Sequence, residues 1–100
     1  KLINIIDKYN LNNIIFITGD RHRGGIYKMK TQNENIVFDI TSSPINSSTY
    51  PGEEEGVYRL GNTYTETNFG LMTIDLLSKS TIFELKDKYG NSVISEKLLY

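Results

Sequence analysis

The chain has 100 residues, of which 38% are hydrophobic and 23% are charged, and its formal net charge is -1. This composition is ordinary for one small folded domain, and the even balance of charge gives no indication of a nucleic-acid partner. Because the sequence contains no cysteine, it excludes disulfides, zinc–thiolate sites and thiol catalysis.

The N-terminal part of the sequence has the pattern of half an α/β unit. Leu2, Ile5, Ile6 and Tyr9 recur at the spacing of one face of an amphipathic helix, and the asparagines that follow favour its end. The run Ile14–Thr18 is continuously apolar and rich in β-branched residues, which predicts a strand buried on both faces. Helix, short loop and buried strand together favour an α/β sheet.

The middle of the chain changes from a turn to strands and then to an irregular stretch. A glycine-flanked turn at 19–25 is followed by alternation at 26–30, which fits a short strand or a helical turn. Residues 36–41 alternate again and predict a strand. Residues 42–68 show neither helical nor strand periodicity and contain both prolines, so we expect a long irregular loop there.

The last third of the sequence predicts an antiparallel meander. Alternating segments at 70–76, 81–87 and 92–98 are separated by short polar or glycine-containing turns. Three short strands joined by tight turns are typical of this arrangement.

The turn after the first predicted strand carries the residues best suited to chemistry. His22 is the only histidine, and it lies two residues after Asp20. Ligands in open α/β sheets bind outside the carboxyl ends of the strands, a carboxylate suits calcium, and an imidazole suits iron or zinc. Gly-Asp after a strand is also common as a plain turn, and two donors do not complete a metal site. A metal site and a structural turn therefore both remain open.

Two arginines flank the histidine. The guanidinium groups of Arg21 and Arg23 suit bidentate binding of phosphate oxygens, or they are solvated charges that pair with nearby carboxylates. No residue is assigned a direct catalytic role, because the chain has no G-x-S-x-G sequence and only one histidine. No glycine-rich nucleotide-binding pattern is present either.

Three segments of the sequence resemble one family. Residues 15–22 (Ile-Phe-Ile-Thr-Gly-Asp-Arg-His) resemble the strand and Gly-Asp-x-His turn of alkaline phosphatase D and its relatives in the calcineurin-like metallophosphoesterase superfamily. Residues 38–44 resemble the family's strand that ends in Thr-Ser-Ser, and residues 67–70 resemble its Asn-Phe-Gly segment entering a strand. The strand at 71–75, the closing strands and the Gly90 turn also agree, so the matches occur in the family's order and extend over nearly the whole chain.

The resemblance implies a fold and an activity. It implies that residues 1–100 form a single partial domain, the C-terminal part of a four-layer metallophosphoesterase α/β sandwich. His22 is then a metal ligand and Asp20 a ligand or a neighbour of one, with calcium and/or iron expected and zinc or manganese as alternatives. Arg21 and Arg23 are the expected substrate-binding residues. The implied reaction is hydrolysis of a phosphate ester by a metal-activated hydroxide.

The resemblance also implies that the chain is incomplete. The family's earlier metal motifs, Gly-Asp-x-x-x-Asp-like and Asp-Asp-His-like, do not occur here. We therefore expect the chain alone to be inactive and its partner to be the missing N-terminal part of the same domain, in a secreted, periplasmic or cell-envelope protein. With one helix to cover it, the first strand should expose apolar surface and tend to associate. The alternative is a non-catalytic β-rich binding or structural module derived from that fold.

Overall fold

The computed structural model describes residues 1–49 and 58–99. In these ranges the chain forms one short helix and seven strands. They are α1 (Leu2–Lys8), β1 (Ile14–Thr18), β2 (Gly24–Lys30), β3 (Ile36–Thr41), β4 (Arg59–Tyr64), β5 (Asn68–Asp75), β6 (Ser80–Asp87) and β7 (Ser92–Leu99).

The strands form two sheets. The first has the order β1-β3-β2-β4, and the second is the meander β5-β6-β7. Strands β1 and β3 are parallel, and every other pairing is antiparallel. The predicted N-terminal helix, the strands at 14–18 and 36–41 and the C-terminal meander are confirmed, and the ambiguous segment at 26–30 is a strand.

The predicted fold class, a four-layer α/β sandwich, is wrong. The chain is mainly β, with two sheets and a single helix of seven residues that buries only Ile6. A helix of two turns has too little apolar surface to cover a sheet. The two sheets bury their apolar faces against each other instead.

The core lies between the sheets. Ile26, Phe38 and Ile40 of the first sheet pack in one buried cluster with Phe83 and Leu98 of the second. The Phe38 and Phe83 ring centroids are 5.6 Å apart, and the ring planes are tilted by 47°. This distance lies in the favourable range for aromatic pairs. Phe38 and Ile40, two residues apart, thus share the core-facing side of β3, as the alternation at 36–41 predicts.

Strand β1 is not buried on both faces as predicted. It is an edge strand that pairs only with β3, its residues are half-buried to exposed, and the side chain of Ile17 is 72% exposed. The second sheet covers part of one face, and the single short helix does not cover the other. The expected apolar surface on this strand is therefore present.

Strand β4 lies inside the stretch predicted to be an irregular loop. It pairs antiparallel with β2 through Leu60 and Arg59. Its sequence shows no alternation because it is a sheet edge and because Gly61, with a φ of 71°, interrupts it. The predicted loop is therefore not irregular throughout, and its residues 50–57 lie outside the described ranges.

Helix α1 is attached to the sheet through Asp7. Its carboxylate accepts hydrogen bonds from the Thr31 hydroxyl and from the Asn35 side-chain amide, and both of these residues are buried. The hydrogen bond from Thr31 is the main reason why the pKa of Asp7 lies below its ordinary value of 3.8; partial burial opposes the shift, and Asn35 adds to it.

This lowered pKa predicts an acid-dependent contribution to stability. A carboxyl group whose pKa is depressed by folding stabilises the protein above its unfolded pKa, and this contribution is lost as the pH falls through the folded pKa. Asp7→Asn should therefore lower the free energy of unfolding at about pH 6, and the difference from the wild type should be smaller at about pH 3, below the ordinary pKa of 3.8. Urea denaturation at the two pH values measures this; a difference that does not depend on pH contradicts it.

The inter-sheet core predicts a large effect at Phe83. Replacing this fully buried ring by alanine should cost about 3–5 kcal/mol of unfolding free energy, and Phe83→Leu should cost about 1–1.5 kcal/mol. The control is Leu77→Ala, because Leu77 is 98% exposed and its loss should change stability by less than about 0.5 kcal/mol. Equal effects at the two positions in chemical denaturation contradict the described core.

Candidate functional site

The candidate site is the turn that follows β1. Asp20 and His22 both have left-handed backbones there, with φ of 67° and 56°. Residues other than glycine adopt this conformation infrequently, although Asp and His are among those that tolerate it best. Such a backbone persists when its surroundings hold it, and it is a frequent feature of functional sites.

The turn is attached to the segment that follows β3. The His22 amide donates a hydrogen bond to the Ser43 hydroxyl oxygen, with a distance of 3.3 Å from His22 N to Ser43 Oγ. The Ser42 amide donates to the Thr18 carbonyl at 3.2 Å, which continues the parallel ladder past the end of both strands. The predicted site residues come directly after β1 in the sequence. They therefore begin at the edge of the sheet where β1 and β3 both end.

The four predicted residues differ in exposure. Asp20 and Arg21 are exposed, whereas His22 and Arg23 are half-buried, and the Nδ1 atom of the His22 ring is buried. All four belong to the turn between β1 and β2, because they are consecutive in the sequence. A carboxylate and an imidazole two residues apart can each donate one ligand to a cation.

Asn68 is the best-connected side chain near this turn. It is the first residue of β5 and is 1% exposed. Its oxygen accepts hydrogen bonds from the Ser42 hydroxyl at 3.1 Å and the Ser43 amide at 3.2 Å. Its nitrogen donates to the Ser43 carbonyl at 2.7 Å and the Glu66 carbonyl at 2.8 Å. These four bonds use the full capacity of a side-chain amide.

Two glycines make room for this network. A Cβ atom at Gly24 would lie 2.9 Å from the Asn68 side-chain oxygen, and one at Gly70 would lie 3.3 Å from the Ser42 Cβ. The first distance is a clash. Strand β2 can therefore approach Asn68 only because position 24 has no side chain.

Thr41, the last residue of β3, has a buried hydroxyl beside the same segment. It is 1% exposed, and within the described ranges its oxygen has no hydrogen-bond partner. A buried polar atom of this kind costs free energy unless water or a ligand satisfies it.

The turn does not form a complete metal site by itself. No group of three or more His, Cys, Asp or Glu side chains suitable for a metal ion occurs in the part of the chain that the structure describes. Asp20 and His22 therefore supply at most two of the four to eight donors that zinc or calcium takes. The remaining ligands must be water, substrate or other protein residues.

Asn68, Ser42 and Ser43 have no site role that the sequence alone predicts. The Thr-Ser-Ser and Asn-Phe-Gly segments were noted only as part of a resemblance. Serine and asparagine in polar stretches usually indicate turns, so their composition did not distinguish a buried network from a surface loop. Only the three-dimensional contacts do so.

The Asn68 network predicts a large loss of stability on truncation. Asn68→Ala leaves the Ser43 amide and two carbonyls without their partners, and we expect a cost of about 2–4 kcal/mol. Asn68→Asp should also destabilise, because a carboxylate cannot donate to the two carbonyls. The control is Asn62→Ala at an exposed position of β4, with an expected change below about 0.5 kcal/mol. Chemical denaturation of the three variants tests this, and a change below 1 kcal/mol for Asn68→Ala contradicts it.

Comparison with known proteins adds no relative to this description. No family model matches the sequence, and no curated protein or solved structure matches it significantly. Among the described residues, no helix has the length and apolar character needed to cross a bilayer. The resemblance drawn from the sequence motifs therefore stays a prediction.

Proposed function

We propose that this chain supplies one metal-binding turn of a metal-dependent phosphate-ester hydrolase related to alkaline phosphatase D. One observation supports the proposal. The three segments that carry the resemblance are far apart in the sequence but are hydrogen-bonded to one another. His22 contacts Ser43, and Asn68 contacts both Ser42 and Ser43.

The residues of the turn have distinct proposed roles. The Asp20 carboxylate and the His22 imidazole hold the ion, which the donor types suggest is calcium and/or iron, with zinc or manganese as alternatives. When bound, such ions lower the pKa of a coordinated water and so generate a hydroxide nucleophile. Arg21 and Arg23 bind the phosphoryl oxygens through their guanidinium groups.

The hydrogen bonds that hold the turn in place are also part of the proposal. Metal ligands need their orientation fixed by groups behind them. Here the Ser43 hydroxyl fixes the His22 backbone, and Asn68 fixes Ser43 in turn. The left-handed backbones at Asp20 and His22 are consistent with this requirement, because they place two ligands close together in a very short turn.

We propose that the N-terminal part of the same domain supplies the remaining protein ligands of the metal site. The protein is then incomplete as this chain, and hydrolysis by the chain alone should be negligible. A secreted, periplasmic or cell-envelope location belongs to the same proposal. The coding sequence upstream of Lys1 provides a check, since it should contain Asp, Asn and His metal motifs, and their absence contradicts the proposal.

A non-catalytic β-rich binding module is the second candidate. Its support is the inter-sheet core, which packs without any residue of the turn. This candidate predicts a cooperative fold whose stability is unaffected by metal chelators, and no preference of any cation for the turn.

Metal titration of point variants separates the two candidates. We expect the chain to bind Mn²⁺ weakly, with a dissociation constant on the order of 1 mM because only two protein ligands are present. Paramagnetic broadening in NMR spectra should centre on Asp20 and His22. Asp20→Asn and His22→Asn should each weaken binding at least about tenfold, since Asn tolerates the left-handed backbone but is a poorer ligand.

The matched control is Glu34→Asn. Glu34 is an exposed carboxylate with a similar left-handed backbone, φ 63°, in a different turn. Its substitution should leave the broadening at the turn unchanged. Broadening that persists in both site variants, or that centres on other carboxylates, favours the binding-module candidate.

A further inference from the structure

An apolar cleft opens between the two sheets next to the candidate turn. It has a volume of about 220 Å³. Phe83 and Ile40 form its buried floor, and the more exposed Ile17 and Leu71 form its rim. Strands β1 and β5 are the edge strands of their sheets, so the sandwich is open on this side.

The polar end of the cleft is continuous with the turn. Thr18 and Ser42 line it there, and the chain passes from Thr18 through Gly19 directly into Asp20. A Cβ atom at Gly19 would lie 3.6 Å from the Ser42 carbonyl oxygen. Ser43, the next residue, accepts the hydrogen bond from the His22 amide. The cleft therefore borders the turn through Thr18 and Ser42, although residues 20–23 do not line it.

We infer that this cleft binds the organic group of the phosphate ester, and that this group is a short alkyl chain or a single aromatic ring. The inference rests on the proposed function, because it assigns the phosphate to the adjacent turn. The side chains of the floor and rim are aliphatic or aromatic and offer no hydrogen bonds to the hydroxyls of a sugar or nucleoside. Such hydroxyls lose affinity when they are buried without partners.

The volume of the cleft limits the size of the organic group that it can hold. A volume of about 220 Å³ corresponds to roughly seven water molecules at liquid density. A chain of about six carbons therefore fits, and a long acyl chain does not. Each methylene that is fully removed from water should improve affinity up to about fourfold, and the gain should stop once the cleft is filled.

The test is an NMR titration of the chain in the presence of Ca²⁺, with three probes. We expect n-hexyl phosphate to bind at least about tenfold more tightly than inorganic phosphate. It should shift the methyl signals of Ile17, Leu71 and Met72 together with the His22 amide. Inorganic phosphate should shift only the turn, and 1-hexanol should shift only the methyl signals. Affinity should rise from ethyl to hexyl phosphate and then level off.

A pair of variants gives the control. Leu71→Asn places a polar group on the rim and should reduce the preference for hexyl phosphate over inorganic phosphate at least about threefold. Leu76→Asn makes the same chemical change at a position that is 77% exposed and does not line the cleft, and it should leave the preference unchanged.

The outcomes distinguish this inference from the proposed function. If hexyl phosphate and inorganic phosphate bind equally and the cleft methyl signals do not move, the inference is wrong, but the turn remains a phosphate site. If 1-hexanol shifts the methyl signals and neither phosphate compound shifts the turn, both the proposed function and the inference are wrong. The cleft is then a site for uncharged apolar molecules.

Discussion

The buried amide of Asn68 joins the two sheets at the end of the molecule where the candidate turn lies. It starts the second sheet and makes three hydrogen bonds to the segment that leaves the first sheet, and its fourth goes to the Glu66 carbonyl. A buried amide is costly when any of its groups lacks a partner. The relative position of the two sheets at this end is therefore fixed by polar geometry, in addition to the non-directional packing of Phe38 against Phe83.

The candidate site follows from this constraint. Asn68 holds Ser43, and Ser43 holds the His22 backbone. The parallel pairing of β1 with β3 brings the ends of both strands to the same edge. A short left-handed turn can then present Asp20 and His22 from a rigid base. A functional site supported in this way needs less ordering when an ion or a substrate binds.

Much of the local structure could be predicted from the sequence, because it depends on periodicity. The helix of Leu2, Ile5 and Ile6, the inward face of β3 and the C-terminal meander all have clear repeats. Periodicity does not report which neighbours a strand has. The apolar run Ile14–Thr18 was therefore interpreted as doubly buried, although it lies at a sheet edge. The α/β fold class was wrong for the same reason.

The site could be predicted only in part. Asp20 and His22 are predicted as site residues because their side chains are chemically distinctive and follow a strong strand signal, and their role stays a prediction. The role of Asn68 depends on contacts more than 20 residues away in sequence, and no local pattern encodes them. Strand β4 was missed because its Arg-Leu-Gly-Asn-Thr-Tyr sequence resembles a loop and acquires its strand conformation by pairing with β2.

The most direct test of the metal-binding turn is anomalous diffraction from crystals of the chain soaked in Mn²⁺. We expect an anomalous peak within coordination distance, roughly 2.0–2.5 Å, of both the His22 ring and the Asp20 carboxylate, with the hydrogen bonds of Asn68 unchanged. Manganese found only at other carboxylates, with an ordered and empty Asp20–His22 turn, contradicts it.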